Sequence, residues 1–298
     1  MNFKIIEESY INSYSNYEEF IALIKGIFEN EIDNIEYIVN LIGELKPEGL
    51  LLYESLPLGL MVRARKLEQS ILDYPISEVS MLFITCCFET LINLEYILND
   101  LSQSDRLIGK YIRSSFYREK KLQSLVQENV NNRDGLKIDL EKRILASIEH
   151  YESMIGFTVA GLSKKKDSKW LDNKMNEPEY LTDRAKALKK SKSFIYQNIE
   201  YCKRYLHPSW TLMYEHNLDY KGDFYEIKSQ DAFYDDYRHL VDIIYMNYIG
   251  FYSLIKYFDL DNLRPDLYRQ IDNSIFHNIN MIQKIKSNVP LRIINPSN

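Results

Sequence analysis

Breakers are scarce in this chain: ten glycines and eight prolines are spread over 298 residues. A fold of many short strands needs such residues at nearly every connection, so their scarcity argues against one and favours long helices. Cysteine is scarce too, with Cys86, Cys87 and Cys202 the full set. Cys86 and Cys87 are neighbours inside an apolar stretch, where no ordinary disulfide forms, and no metal-ligand spacing appears. They read as buried thiols in a reducing compartment. The formal net charge of −6 excludes nucleic-acid binding by bulk charge and leaves room for a local basic patch. A glycine-rich phosphate loop, an H-E-x-x-H zinc pattern, a G-x-S-x-G elbow and internal repeats are all missing. The opening MNFKIIEESYINSY has early acids and no apolar h-region, so it does not read as a signal peptide. The longest apolar run, Met81 to Phe88, is short of the roughly 20 residues a membrane span needs. The expectation is a cytoplasmic protein without membrane, metal or cofactor.

Apolar periodicity is what the chain does have. Asn16 or Ser15 can cap a helix whose face is Phe20, Leu23, Ile24 and Phe28. Ile32, Ile35, Ile38, Val39 and Ile42 continue it to about Leu45, as one helix or two, before the Lys46-Pro47-Glu48-Gly49 turn. Leu50 to Asp73 is helical, with Pro57 either starting or kinking a helix. Further helices are expected over Asp105 to about Asn129, Ile138 to about Leu162, Arg184 to Leu206, and Gln230 to Leu260, with a last one from Arg264-Pro265 to near Ser287. Leu101 to Ser104 reads as a link capped by Ser104, and residues 211–229 as a loop.

Ser77 to Asp100, SEVSMLFITCCFETLINLEYILND, should be the central helix, because nearly its whole circumference is apolar. One stripe is polar: Thr85, Glu89, Asn93 and Tyr96 share a face. A buried Glu89 would need a cation or several donors, since stranding even a neutral polar group costs roughly 2–7 kcal/mol. Arg63 or Arg65 is the first candidate partner. A structural ion pair explains such a stripe as readily as a functional site does.

Two other constellations carry chemistry. Arg143 and His150 stand seven residues apart on one face and fit the loose R-x4–6-H pattern of HEPN-type ribonucleases, in which His moves protons and Arg stabilises phosphate charge. Chance produces such a pair easily in a helical chain. Tyr201, Arg204 and His207 crowd a helix end that Pro208 terminates, with Ser209 next in the loop. The bland reading of His207 is a cap on the last carbonyls. The basic helix after Asp105 carries Tyr111, which allows a weak nucleic-acid reading.

The order FETLINLEYIL, DRLIGKYIRSSFYREKKL, SKWLDNK and YQNIEYCKRYLHPS resembles a bacterial family of helical proteins with a Tyr…His-Pro-Ser motif, regarded as HEPN-like or similar to abortive-infection domains. The resemblance covers about residues 50–215. It implies an HEPN-like helical core with helical extensions: 1–49 before it, and 216–298 as a C-terminal pair packed on it. By that likeness Arg63, Glu89, Tyr111, Tyr201, His207 and Ser209 match motif positions. Where the family tends to show Arg four residues before the Glu, this chain has Thr85; Arg63 or Arg204 replaces it, or the activity is absent.

The resulting expectation is a bacterial defence or stress effector acting on RNA or a nucleotide. His207 would transfer the proton, Arg204 or Arg63 would hold the phosphate, Glu89 would fix that Arg, and Tyr111, Tyr201 and Ser209 would bind substrate. An antitoxin or other protein partner and a homodimer go with it. The competing expectation is a non-catalytic helical module that binds a partner protein or small ligand.

Overall fold

The computed structural model describes residues 2–73, 78–133, 135, 138–146, 184, 188, 218–222, 225–227 and 238–288. These residues are helical apart from connections and one two-stranded hairpin. A segment without regular secondary structure at residues 2–7, extended at Glu7, leads into a 3-10 helix, Glu8–Asn12. Helix α1 then runs unbroken over Tyr17–Leu45. Asn16 caps it, its side chain accepting the Glu19 N–H at 2.9 Å, while the Glu19 carboxylate reaches back to the Ser15 N–H at 2.7 Å. This reciprocal pair satisfies donors that helix geometry leaves free.

Helix α2 spans Leu52–Asp73 with Pro57 inside it. A proline there cannot donate to the carbonyl four residues earlier, that of Tyr53. The Tyr257 hydroxyl donates to that carbonyl at 3.2 Å instead, and lies 3.4 Å from Asp105 Oδ1. The proline is thus accommodated within one helix, with neither a new start nor a break.

Helix α3, Glu78–Leu98, is the central one, as its all-round apolar character requires. It packs most extensively on α2 and next on α5, Arg238–Tyr257. Its connection to α4, Leu101–Asn131, is only Asn99-Asp100. This corrects the expected link at 101–104. Asp100, not Ser104, is the cap, its side chain accepting the Ser102 N–H at 3.0 Å. Ser104 is a buried residue whose hydroxyl donates to the Ile97 carbonyl at 2.9 Å. The expected 211–229 loop holds a hairpin, β1 Leu218–Tyr220 antiparallel to β2 Tyr225–Ile227. Helix α6, Leu260–Leu263, and α7, Pro265–Ser287, complete the described chain.

One hydrophobic core runs through these elements from Ile6 to Ile285. It draws on all three expected parts of the chain. α1 packs on α2 and α5, and α7 packs on α5. Gly250 lets α5 approach closely: a Cβ there would meet Met61 Cε at 2.8 Å and Leu94 Cδ2 at 3.2 Å. The α3 stretch Ser80–Leu98 is apolar and long enough, by length and composition alone, to cross a membrane, yet 67% of it is buried inside the bundle. That is how the middle helix of a bundle behaves.

Candidate functional site

The polar stripe of α3 resolves residue by residue. Thr85 is buried and donates to its own helix, to the Met81 carbonyl at 2.7 Å. Asn93 is buried and accepts from the guanidinium of Arg184, itself buried. Tyr96 is half-buried against the core. Glu89 is exposed. This overturns its expected burial. The residue lies on the seam of α3 that also carries exposed Leu82 and half-buried Cys86, so its carboxylate stays hydrated at no desolvation cost. A cation does meet the buried stripe, but it is Arg184 and it meets Asn93.

Arg63, the expected partner, is also exposed. Arg63 and Glu89 flank the Cys86 thiol. Partial burial raises its pKa, the Arg63 charge lowers it and the Glu89 charge raises it. No ion pair joins Arg63 and Glu89 among the described residues. The alternative, Arg65, pairs with Glu36 of α1 at 2.5 Å instead. Tyr111 is half-buried and packs against the core from α4. Arg143 is exposed in a helical stretch at 139–146. His150, Tyr201, Arg204, His207 and Ser209 lie outside the described residues.

The buried acids are elsewhere. Glu31 on α1 and Glu68 on α2 are both fully buried. Asn247 of α5 donates to Glu68 Oε1 at 2.9 Å, and the Cys87 thiol approaches the same oxygen at 3.6 Å. Burial pushes the Glu68 carboxyl up to about 7, against these two hydrogen bonds, which act to lower it. Among the described residues Glu68 Oε2 and Asn247 Oδ1 have no hydrogen-bond partner. A proton on Oε2 would turn the first into a donor. Glu31 is raised well above the ordinary carboxylate range, chiefly by burial and further by the Glu68 charge, while Tyr248 and Asn34 beside it act to lower it. Neither of its oxygens completes a hydrogen bond of ordinary geometry. Glu68 therefore holds its proton well above the pH at which an ordinary glutamate loses it, and Glu31 is shifted in the same direction. Burial likewise pushes the Cys87 thiol and the Tyr248 phenol up.

The Tyr248 hydroxyl accepts from Asn278 of α7 at 3.0 Å. Asn278 and Asn34 in turn hold the N-terminal segment. Asn34 accepts the Lys4 N–H at 2.6 Å and donates to the Lys4 carbonyl at 3.1 Å. Asn278 donates to that carbonyl at 3.0 Å and accepts the Ile6 N–H at 2.8 Å. The network thus runs from Tyr248, which lies beside Glu31, through Asn278 to the main chain of residues 4–6, with Asn34 on the same Lys4 groups.

These residues could be found by a signal passed over in the sequence. Glu31 falls on the stripe Ile24, Phe28, Glu31, Ile35, Ile38. Glu68 falls on Met61, Ala64, Glu68, Ile71, and Asn278 on Ile271, Ile275, Asn278, Ile282. A polar residue in phase with an apolar helix face is a buried polar residue.

A different feature faces water. Leu50, Leu51, Leu52 and Tyr53 are consecutive and all exposed, Leu51 by 70%. The turn that displays them is braced. Gly49 adopts φ +100° and donates to the Lys46 carbonyl at 2.9 Å. Glu54 accepts the Leu51 N–H at 2.8 Å and pairs with Lys46 at 2.6 Å. Those two contacts hold its carboxyl below the usual range despite partial burial. Leu101 at the start of α4 is also exposed. Among the described residues no group of three or more His, Cys, Asp or Glu is placed to hold a metal ion.

No protein-family model, curated protein or solved structure matches this chain.

Proposed function

We propose that this chain is a helical module that binds another protein, with Leu50–Tyr53 as part of the contact surface and a second copy as the first partner to test. The observation behind the reading is the run of four exposed apolar residues on a braced turn. Contiguous apolar exposure of this kind marks interaction sites in soluble proteins. The bracing reduces the ordering cost that binding would otherwise carry. At micromolar concentration, sedimentation velocity should give a species of twice the 35.5 kDa chain mass. Leu51→Asp combined with Leu52→Asp should return it to monomer with unchanged helix content. A monomeric wild type removes the second copy as partner.

A second reading keeps the HEPN-like resemblance: a bacterial defence effector acting on RNA or a nucleotide. Favouring it is the solvent-facing seam where Arg63 and Glu89 flank Cys86. Arg63 would contact phosphate there, with His207 as the proton-transfer group. Incubation with RNA and with nucleotides should show turnover that falls about 100-fold or more in His207→Ala. Absence of turnover, or turnover indifferent to that change, rejects this reading.

A further inference from the structure

We propose that the groove between α1, α5 and α7 is a recognition site for a peptide of the pattern Phe-Lys-x-Ile, occupied here in cis by residues 3–6. The mode of contact carries the inference. Among the described residues, no backbone group of residues 3–6 pairs with another backbone group. The main chain is read by side chains: Asn34 and Asn278 take the Lys4 and Ile6 groups, and His277 Nε2 lies 2.8 Å from the Ile6 carbonyl. Contacts of this kind fix a backbone without asking for a particular sequence, as in strand-type peptide recognition, and leave choice to the pockets.

The pockets supply that choice. Phe3 sits edge-on to Tyr37 and Phe251, at 6.0 and 5.9 Å between ring centroids. The Lys4 ammonium reaches Asp33 at 2.5 Å and Asn30 at 3.1 Å. Ile6 is buried, whereas Ile5 between them is exposed. The site therefore specifies an aromatic, a cation, a free position and an aliphatic. Asn34 and Asn278 are buried beneath the seated segment, so their bonds to its main chain are shielded from water.

A tethered ligand competes at an effective concentration of about 1 mM, so a free peptide should bind only when the cis segment is weakened. This site is separate from the Leu50–Tyr53 surface and does not depend on it. The test uses the full chain carrying Phe3→Ala and Ile6→Ala, with a fluorescein-labelled peptide of sequence NFKIIEE read by anisotropy. Saturable binding at least about tenfold tighter than to wild type is expected. A peptide with alanine at its phenylalanine should not bind, and adding Asn278→Ala to the variant should weaken binding about tenfold or more. If the variant is unstable, about 1 mM peptide should raise its melting temperature. The proposal is overturned if the folded variant shows no saturable binding, if an unstable one is not rescued, or if wild type binds equally well.

Discussion

Asn278→Leu should lower the unfolding free energy by about 3–5 kcal/mol, read by urea denaturation monitored at the helical circular dichroism signal. Leucine keeps the volume but removes every bond the amide makes. The Ile6 N–H loses its acceptor, and the Lys4 carbonyl and Tyr248 hydroxyl lose a donor. Ile6 and Tyr248 are buried, so water cannot replace those bonds, and each orphaned group costs about 1–3 kcal/mol. The Lys4 carbonyl retains Asn34, which is why the full sum is not expected. Asn34→Leu should accordingly be less than additive with Asn278→Leu, since the first loss already releases the segment the second one holds. A loss under about 1 kcal/mol for Asn278→Leu would mean that the segment at residues 2–6 contributes little to the fold.

The second large effect is a dependence of stability on pH with an unusual sign. In the unfolded chain Glu68 titrates near 4.3, the ordinary glutamate value. In the folded protein it titrates near 7. Between those values the folded state holds the proton and the unfolded state does not. The stabilisation is therefore complete below about pH 4 and is lost as pH rises through 7. The total is roughly 4 kcal/mol, of which roughly 3 is lost between pH 5 and pH 8, and the side chain is fully buried, so solvent screening does not reduce it. The groups facing Glu68 are Glu31 from α1, Cys87 from α3 and Asn247 from α5. Glu31 is shifted in the same direction and adds with the same sign. Glu54 and Glu141 are shifted downward, and their contributions fall as pH drops. Glu68→Gln isolates the effect, because it keeps the size of the side chain and an acceptor for Asn247 while removing the titration. The variant should match wild type near pH 5 and exceed it by roughly 3 kcal/mol near pH 8. Equal stability at both pH values would place the Glu68 proton elsewhere.

The helical character was legible because breakers are few and apolar residues recur at helical spacing. The middle helix was legible because a segment apolar on all sides has nowhere to go but inside. Connections were less legible. Ser104 looks like a cap, yet Asp100 takes that role, since a serine can equally bond a carbonyl in the turn before it. The hairpin at 218–227 was missed because three-residue strands leave too short an alternation to register. The expected burial of Glu89 failed for a similar reason of scale. Glu89 drew notice because its helix is conspicuously apolar, but one seam of that helix is wet. Glu31 and Glu68 stand in ordinary amphipathic helices, where a glutamate looks unremarkable unless its phase against the apolar stripe is counted. The peptide-like grip on residues 3–6 joins positions more than 270 apart in sequence, and no local pattern announces it.

The polar centre of this protein is a pair of buried acids, Glu31 and Glu68, both shifted upward by burial, and not Glu89 on α3, which is exposed. Carbon-13 NMR titration of the glutamate side-chain carboxyls, with Glu68 assigned by its loss in Glu68→Gln, tests it directly. The account predicts a Glu68 midpoint near 7. A midpoint near the ordinary 4.3 would contradict it.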